Sequence, residues 1–122
     1  MDPLQGESYL SLATFRKTGK SVETPVWFAE MGGKYYVFTL AESGKMKRLR
    51  NSTKARVAPC GARGKVHGAW IDAEARILSD TGVIKKAHQA IRRKYHVRMW
   101  ITDALSTLSG RIKRRAWLEI ET

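Results

Sequence analysis

Between residues 9 and 40 the chain reverses direction twice with no room for a crossover, and this limits the folds open to it. Residues 9–17, YLSLATFRK, alternate with the period of a strand: Tyr9, Ser11, Ala13 and Phe15 face one way, Leu10, Leu12, Thr14 and Arg16 the other. KTGK at 17–20 reads as a turn, with Gly19 free to take a positive φ. Residues 21–31, SVETPVWFAEM, read as a second strand. Pro25 interrupts it, which suits an edge, a strand start or a bulge because proline has no N–H to donate. GG at 32–33 makes the next hairpin turn, and KYYVFTL at 34–40 the third strand. Three strands joined by two short turns form an antiparallel meander.

The rest of the chain extends that pattern. A short helix is predicted over 44–50, with Ser43 as N-cap and Asn51 as a stop. ARVAPC at 55–60 reads as a strand, GARG at 61–64 as a turn, and residues 65–78 as a long strand bent at Gly68. Residues 79–95 give the clearest helix, with Ile84, Ala87, Ile91 and Tyr95 on one face. A second short helix is predicted over 102–109, and RAWLEIE at 115–121 closes as a strand. No strand–helix–strand rhythm is present, so a Rossmann sheet is excluded. The pattern predicts a mainly β single domain over 1–122: a six-stranded antiparallel barrel with packed helices.

At 122 residues, such a domain can bury roughly two-thirds of its unfolded surface without staples. The lone Cys60 cannot form an internal disulfide, and MDPLQGES has neither the basic nor the apolar region of a secretory signal. No apolar run approaches the ~20 residues that span a bilayer. The expectation is a protein of the reducing cytoplasm with no membrane partner. Its net charge is +12, from 23 Lys and Arg against 11 Asp and Glu. Such a surface attracts polyanions: nucleic acid, a phosphorylated cofactor or an acidic substrate.

Several chemistries fall away. SGK at 43–45 fails as a P-loop, because Thr39 stands where glycine is needed and Met46 where Ser or Thr is needed. His67, His88 and His96 lie in separate settings, and Cys60 has no second cysteine at metal-ligand spacing, so no zinc site is predicted. No nucleophilic triad is readable, and Asp72 with Glu74 read as an exposed strand face. An enzyme built this way would use a cofactor for its chemistry.

The segment VFTLAESGKMKRLRN, 37–51, points to one. Lys45, Lys47 and Arg48 fall in or beside the first turn of the predicted helix, where the helix dipole is already positive. Exposed and unpaired, each costs on the order of 0.3–1 kcal/mol there. A phosphate reverses the sign, because first-turn amides, the Ser43 hydroxyl and the Lys45 ammonium can converge on one anion, with Thr39 adding a hydroxyl.

LATFRKTGKSVETPVWFA (12–29), YYVFT (35–39), SGKMKRLRN (43–51) and ARVAPC (55–60), in this order and spacing, resemble the split-barrel flavoproteins of the pyridoxamine 5′-phosphate oxidase-like superfamily. Within it the nearest resemblance is to the deazaflavin (coenzyme F-420)-dependent oxidoreductases. The resemblance implies a homodimer of split barrels that binds FMN or the deazaflavin between subunits. It implies phosphate contacts from Thr39, Ser43 and Lys45, matching the family pattern F/Y-T-x-x-x-S-x-K. Many such oxidases carry arginine just before that lysine, where this chain has Gly44; Lys47 or Arg48 would then substitute. Thr24, Pro25, Val26 and Trp27 match the strand whose backbone follows the ring edge, and Arg63 falls near a cofactor-contacting position. The implied function is hydride transfer between the cofactor and a small organic substrate. Two other readings stay open: a basic barrel binding single-stranded nucleic acid, with Tyr35, Tyr36, Trp70 and Trp100 as stacking platforms, and a flavin carrier or sensor without turnover.

Overall fold

A computed structural model describes residues 4–108, 110 and 114–122; the side chains of Val97 and Ser106 lie outside that description. The chain runs through β1 (Tyr9–Phe15), β2 (Ser21–Val26), β3 (Ala29–Met31), β4 (Lys34–Leu40), α1 (Gly44–Asn51), β5 (Lys54–Cys60), β6 (Ile71–Ile77), α2 (Thr81–Tyr95), α3 (Val97–Leu108) and β7 (Arg115–Glu121). All strand pairs are antiparallel. The predicted six strands are seven, in one sheet of order β2-β1-β5-β6-β7-β4-β3.

The extra strand arises where the expected 21–31 strand breaks. Phe28 N–H donates to the Tyr95 hydroxyl at 3.0 Å instead of to a neighbouring strand. The break sends β2 and β3 to opposite edges of the sheet. Laid flat, seven strands would separate those edges by about 29 Å. Three residues of chain from Val26 to Ala29 reach at most about 11 Å. The sheet must therefore curl until its edges nearly meet, which is a barrel split along one seam.

Alternation along the strands fills two cores. Inside the curl lie Leu10, Leu12, Val37, Val57, Leu118 and Ile120, plugged by Met46 and Leu49 of α1. Outside it, Tyr36 and Trp117 pack against Ala87, Ile91, Tyr95 and Met99 of the two long helices. Strands β4 and β7 are thus covered on both faces.

Three further expectations need correction. The strand expected over 65–78 is ordered as strand only from Ile71 to Ile77, with a single bridge from Val66 to Cys60. Gly68 sits where a Cβ would come 2.4 Å from the Pro59 ring, so close contact sets its identity. The helix expected over 102–109 begins earlier, at Val97, behind His96, whose φ of 49° breaks it from α2; its expected last residue, Ser109, lies outside the described residues. Asn51 belongs to α1, and Ser52 is the C-cap.

Asp103 ties α3 to the sheet. Its buried carboxylate accepts from Arg115 Nη1 at 2.7 Å, Arg92 Nε at 2.7 Å and His88 Nε2 at 3.0 Å. Burial pushes its pKa up, but the bonds from Arg115, Arg92 and His88 outweigh this and hold it below the ordinary 3.8.

Candidate functional site

Helix α1 begins where β4 ends, and its two faces have different work. Met46 and Leu49 point into the barrel. Gly44, Lys47, Arg48 and Asn51 lie on the other side, facing Phe15, Arg16 and Lys17 from the end of β1 across a cavity of about 400 Å³. Arg48 is held in place, because its Nε donates to Thr14 Oγ1 at 2.6 Å. Thr14 is fully buried on β1, so this anchor is firm.

Gly44 makes the arrangement possible. A Cβ there would stand 2.8 Å from Arg48 Nη1. The guanidinium therefore occupies the space that a side chain at 44 would need, and one turn of helix brings the cation to the first turn from the fourth position along.

No acidic residue lies in the first turn of α1. Among the described residues, no carboxylate comes within ion-pair distance of Arg16, Lys17, Lys45, Lys47 or Arg48. Burial, then the charge of Arg48, holds the Lys45 ammonium below the ordinary lysine value. Burial, then the charge of Arg16, does the same to Arg48. An anion among these groups would reverse both effects. Ser43 occupies the N-cap but makes no side-chain bond to the first-turn amides; its Oγ accepts instead from Thr39 Oγ1 at 3.2 Å.

The expected residues thus fall into two groups. Lys47 and Arg48 line the cavity, whereas Thr39, Ser43 and Lys45 lie at the β4–α1 junction outside its lining, Thr39 bonded to Ser43 and Lys45 within reach of the charge of Arg48. Thr24, Pro25 and Val26 lie on edge strand β2, opposite Leu12, Ser11 and Leu10 of β1. Directly paired residues share a face, so Thr24 stands on the same face as Leu12 and Thr14, diagonal to Thr14 at about 7–8 Å. Thr24 Oγ1 is buried and has no hydrogen-bond partner among the described residues. Pro25 is on the opposite face, where Gly64 closes on it: a Cβ at Gly64 would lie 3.6 Å from Pro25 Cδ. Exposed Arg63 is carried beside β2 by that 61–64 turn.

The Trp27 side chain is engaged elsewhere. It lies past the end of β2, and its ring stacks on Tyr95 with centroids 4.5 Å apart. The Tyr95 hydroxyl, its pKa raised to about 12 mainly by burial, bonds the backbone of Phe28 and Ser8. Tyr35 and Tyr36 are each only 6% exposed, so they are core residues and not stacking platforms. Sequence reasoning missed Thr14, Arg16 and Lys17 as members of the site. Their signal was the run TFRK, which places Thr14 and Arg16 on one strand face.

The family model described as pyridoxamine 5′-phosphate oxidase matches residues 2–122. The chain belongs to that family. Among curated proteins no sequence match is found. Solved structures share the split-barrel fold at low identity. A conserved hypothetical protein from Mycobacterium tuberculosis superposes with a TM-score of 0.72 at 16% identity, covering 97% of this chain and 74% of that one. The heme storage protein HutZ from Vibrio cholerae gives 0.72 at 14%, covering 96% and 82%. A candidate pyridoxamine 5′-phosphate oxidase from Listeria innocua gives 0.67 at 12%, covering 96% and 85%. The fold therefore serves more than one ligand chemistry, and the choice for this family member rests on its own residues.

Proposed function

We propose that the protein is an oxidoreductase that binds FMN or the deazaflavin coenzyme F-420 and moves a hydride to or from a small organic substrate. The observation that carries this reading is the cavity between α1 and the end of β1, where Arg16, Lys17, Lys47 and Arg48 gather with no carboxylate among the described lining residues. Family membership gives the reading its chemical class. The residues fit such a cofactor: a cationic pocket for its phosphate, and a buried Thr24 hydroxyl, unpartnered among the described residues, on the strand next to β1.

In this reading Arg48, fixed by Thr14, and Lys45 hold the phosphate, with Lys47 and Arg16 at the rim. Ser43 and Thr39 offer hydroxyls that now bond each other. The backbone of Thr24 to Trp27 and the exposed Arg63 border the ring, whose bound form supplies the hydride acceptor or donor. A second copy of the chain closes the groove and excludes water. The surplus of cations over what one phosphate needs favours the deazaflavin, whose acidic tail carries further negative charge.

The test is titration of the protein with each cofactor. The Lys45→Ala and Arg48→Ala variants should each weaken binding by roughly 1.5–3 kcal/mol, the range for a charge-assisted hydrogen bond. Affinity unchanged in both variants overturns the phosphate assignment, and failure of both cofactors to bind the wild type overturns the class.

A further inference from the structure

The α2–α3 hairpin carries a surface that the proposed site does not use. Helix α3 turns Met99 and Asp103 inward. Its other side leaves Trp100 71%, Ile101 56%, Leu105 62% and Leu108 85% exposed. Their spacing places all four on one stripe of the helix. A cavity of about 670 Å³ flanks the stripe, lined by Trp100, Ile101 and Ala104 on α3 and by Arg92, Arg93 and His96 at the α2 end. An apolar stripe of this kind is not left to water without a reason.

Charge says what would cover it. From Thr81 to Leu108 the sequence has six cationic residues, Lys85, Lys86, Arg92, Arg93, Lys94 and Arg98, and one acid, Asp103. That acid is buried beneath the helix, bonded to Arg92, Arg115 and His88. The exposed side of the hairpin therefore presents apolar side chains bordered by cations, with no described carboxylate among them. This is the composition of a helix that lies in a membrane interface, with tryptophan and leucine among the acyl chains and arginine at the headgroups. No helix among the described residues is long and apolar enough to cross a membrane. The absence of a membrane partner was expected for want of a spanning segment, and an interfacial helix needs none.

We propose that the exposed face of α3, with the cationic rim of α2, docks the protein on an anionic lipid surface. Trp100, Ile101, Leu105 and Leu108 enter the interface, and Arg92, Arg93 and Arg98 contact the headgroups. Docking on this face leaves the α1 cavity, which is built by other elements, out of the contact.

The test is sedimentation of the full chain with vesicles of phosphatidylcholine alone and of phosphatidylcholine with phosphatidylglycerol. Binding to the anionic vesicles should exceed binding to the neutral ones by at least about tenfold and fall with salt. A blue shift in tryptophan emission should accompany it and vanish in Trp100→Ser. The Trp100→Ser/Leu105→Ser and Arg93→Glu/Arg98→Glu variants should each lower partitioning by about tenfold or more. Circular dichroism checks that both variants stay folded, and light scattering should show their mass unchanged. Absence of anionic vesicle binding, or binding untouched by both variants, overturns the proposal. A fall in mass caused by the Trp100→Ser/Leu105→Ser pair also overturns it, because the face is then a contact between copies.

Discussion

Replacing Asp103 with asparagine should unfold the protein at a markedly lower temperature. The carboxylate is 5% exposed and receives three bonds, of which the one from Arg115 matters most. The Arg115 side chain is itself only 5% exposed, whereas Arg92 is 47% and His88 25% exposed and can turn to water. Asparagine keeps the shape and one acceptor but removes the negative charge that Asp103 presents to the buried Arg115 guanidinium. Removing one partner of a buried ion pair costs about 3–5 kcal/mol, and the retained acceptor places this substitution near the lower limit, about 3 kcal/mol. For a domain of this size that corresponds to a fall of about 10–15 °C in the thermal midpoint. The pH dependence gives a second signature. The folded pKa of Asp103 is depressed, so its stabilisation is fully present above the ordinary carboxylate value of 3.8 and is lost as pH falls through the depressed value. The gap between wild type and Asp103→Asn, followed by circular dichroism, should therefore narrow in acid. A fall of less than about 3 °C at pH 7 would show that the ion cluster is not holding α3 to the sheet. So would a gap that does not change with pH. The paired replacement Asp103→Leu with Arg115→Met should regain much of the loss, because both members of the buried Asp103–Arg115 pair are then removed together.

Other outcomes follow from single contacts. Gly68→Ala should cost about 1–3 kcal/mol in denaturant unfolding, because its Cβ would meet the rigid Pro59 ring at 2.4 Å. Thr24→Val should raise the stability of the cofactor-free protein by up to about 1–3 kcal/mol, since it removes a buried hydroxyl with no partner, while weakening cofactor binding in titration. Increased affinity would instead remove Thr24 from the ring site. Tyr95→Phe should lower stability by about 1–2 kcal/mol through loss of the bonds to Phe28 and Ser8, with hydrogen exchange at Phe28 increasing first.

Most of the sheet was legible because period-two alternation and glycine turns are local signals. Both residues of GG at 32–33 take positive φ, 59° and 84°, as a tight hairpin requires. The break at Trp27 and Phe28 was not legible. Those residues continue an apolar run, and the group that ends it, the Tyr95 hydroxyl, comes from a residue 67 positions later. The same limit applies to the site. Lys45, Lys47 and Arg48 announce themselves by crowding a helix start. Thr14 and Arg16 join them only when β1 is laid beside α1. The notable property of Gly44, read from sequence as an arginine missing from the family pattern, is the room it leaves for Arg48. Asp103 was overlooked, although a lone acid within a cationic helical stretch is itself a sign of a paired, inward-facing carboxylate.

The placement of β2 and β3 at opposite edges also governs the order in which the protein can be made. Residues 9–40 contain β1 to β4, and these supply both outer walls of the sheet, two strands at each side. The central panel, β5, β6 and β7, is made from later residues and inserts between β1 and β4. As the chain leaves the ribosome, residues 9–40 therefore present two hairpins, β1–β2 and β3–β4, joined by two residues, each with an inner strand whose partner has not yet been synthesised. Those open edges of β1 and β4 are where a nascent chain would pair with the wrong strand or with a neighbour. Strand β7, made after the sheet's other strands, satisfies β4, so native pairing of the sheet waits for residues 115–121.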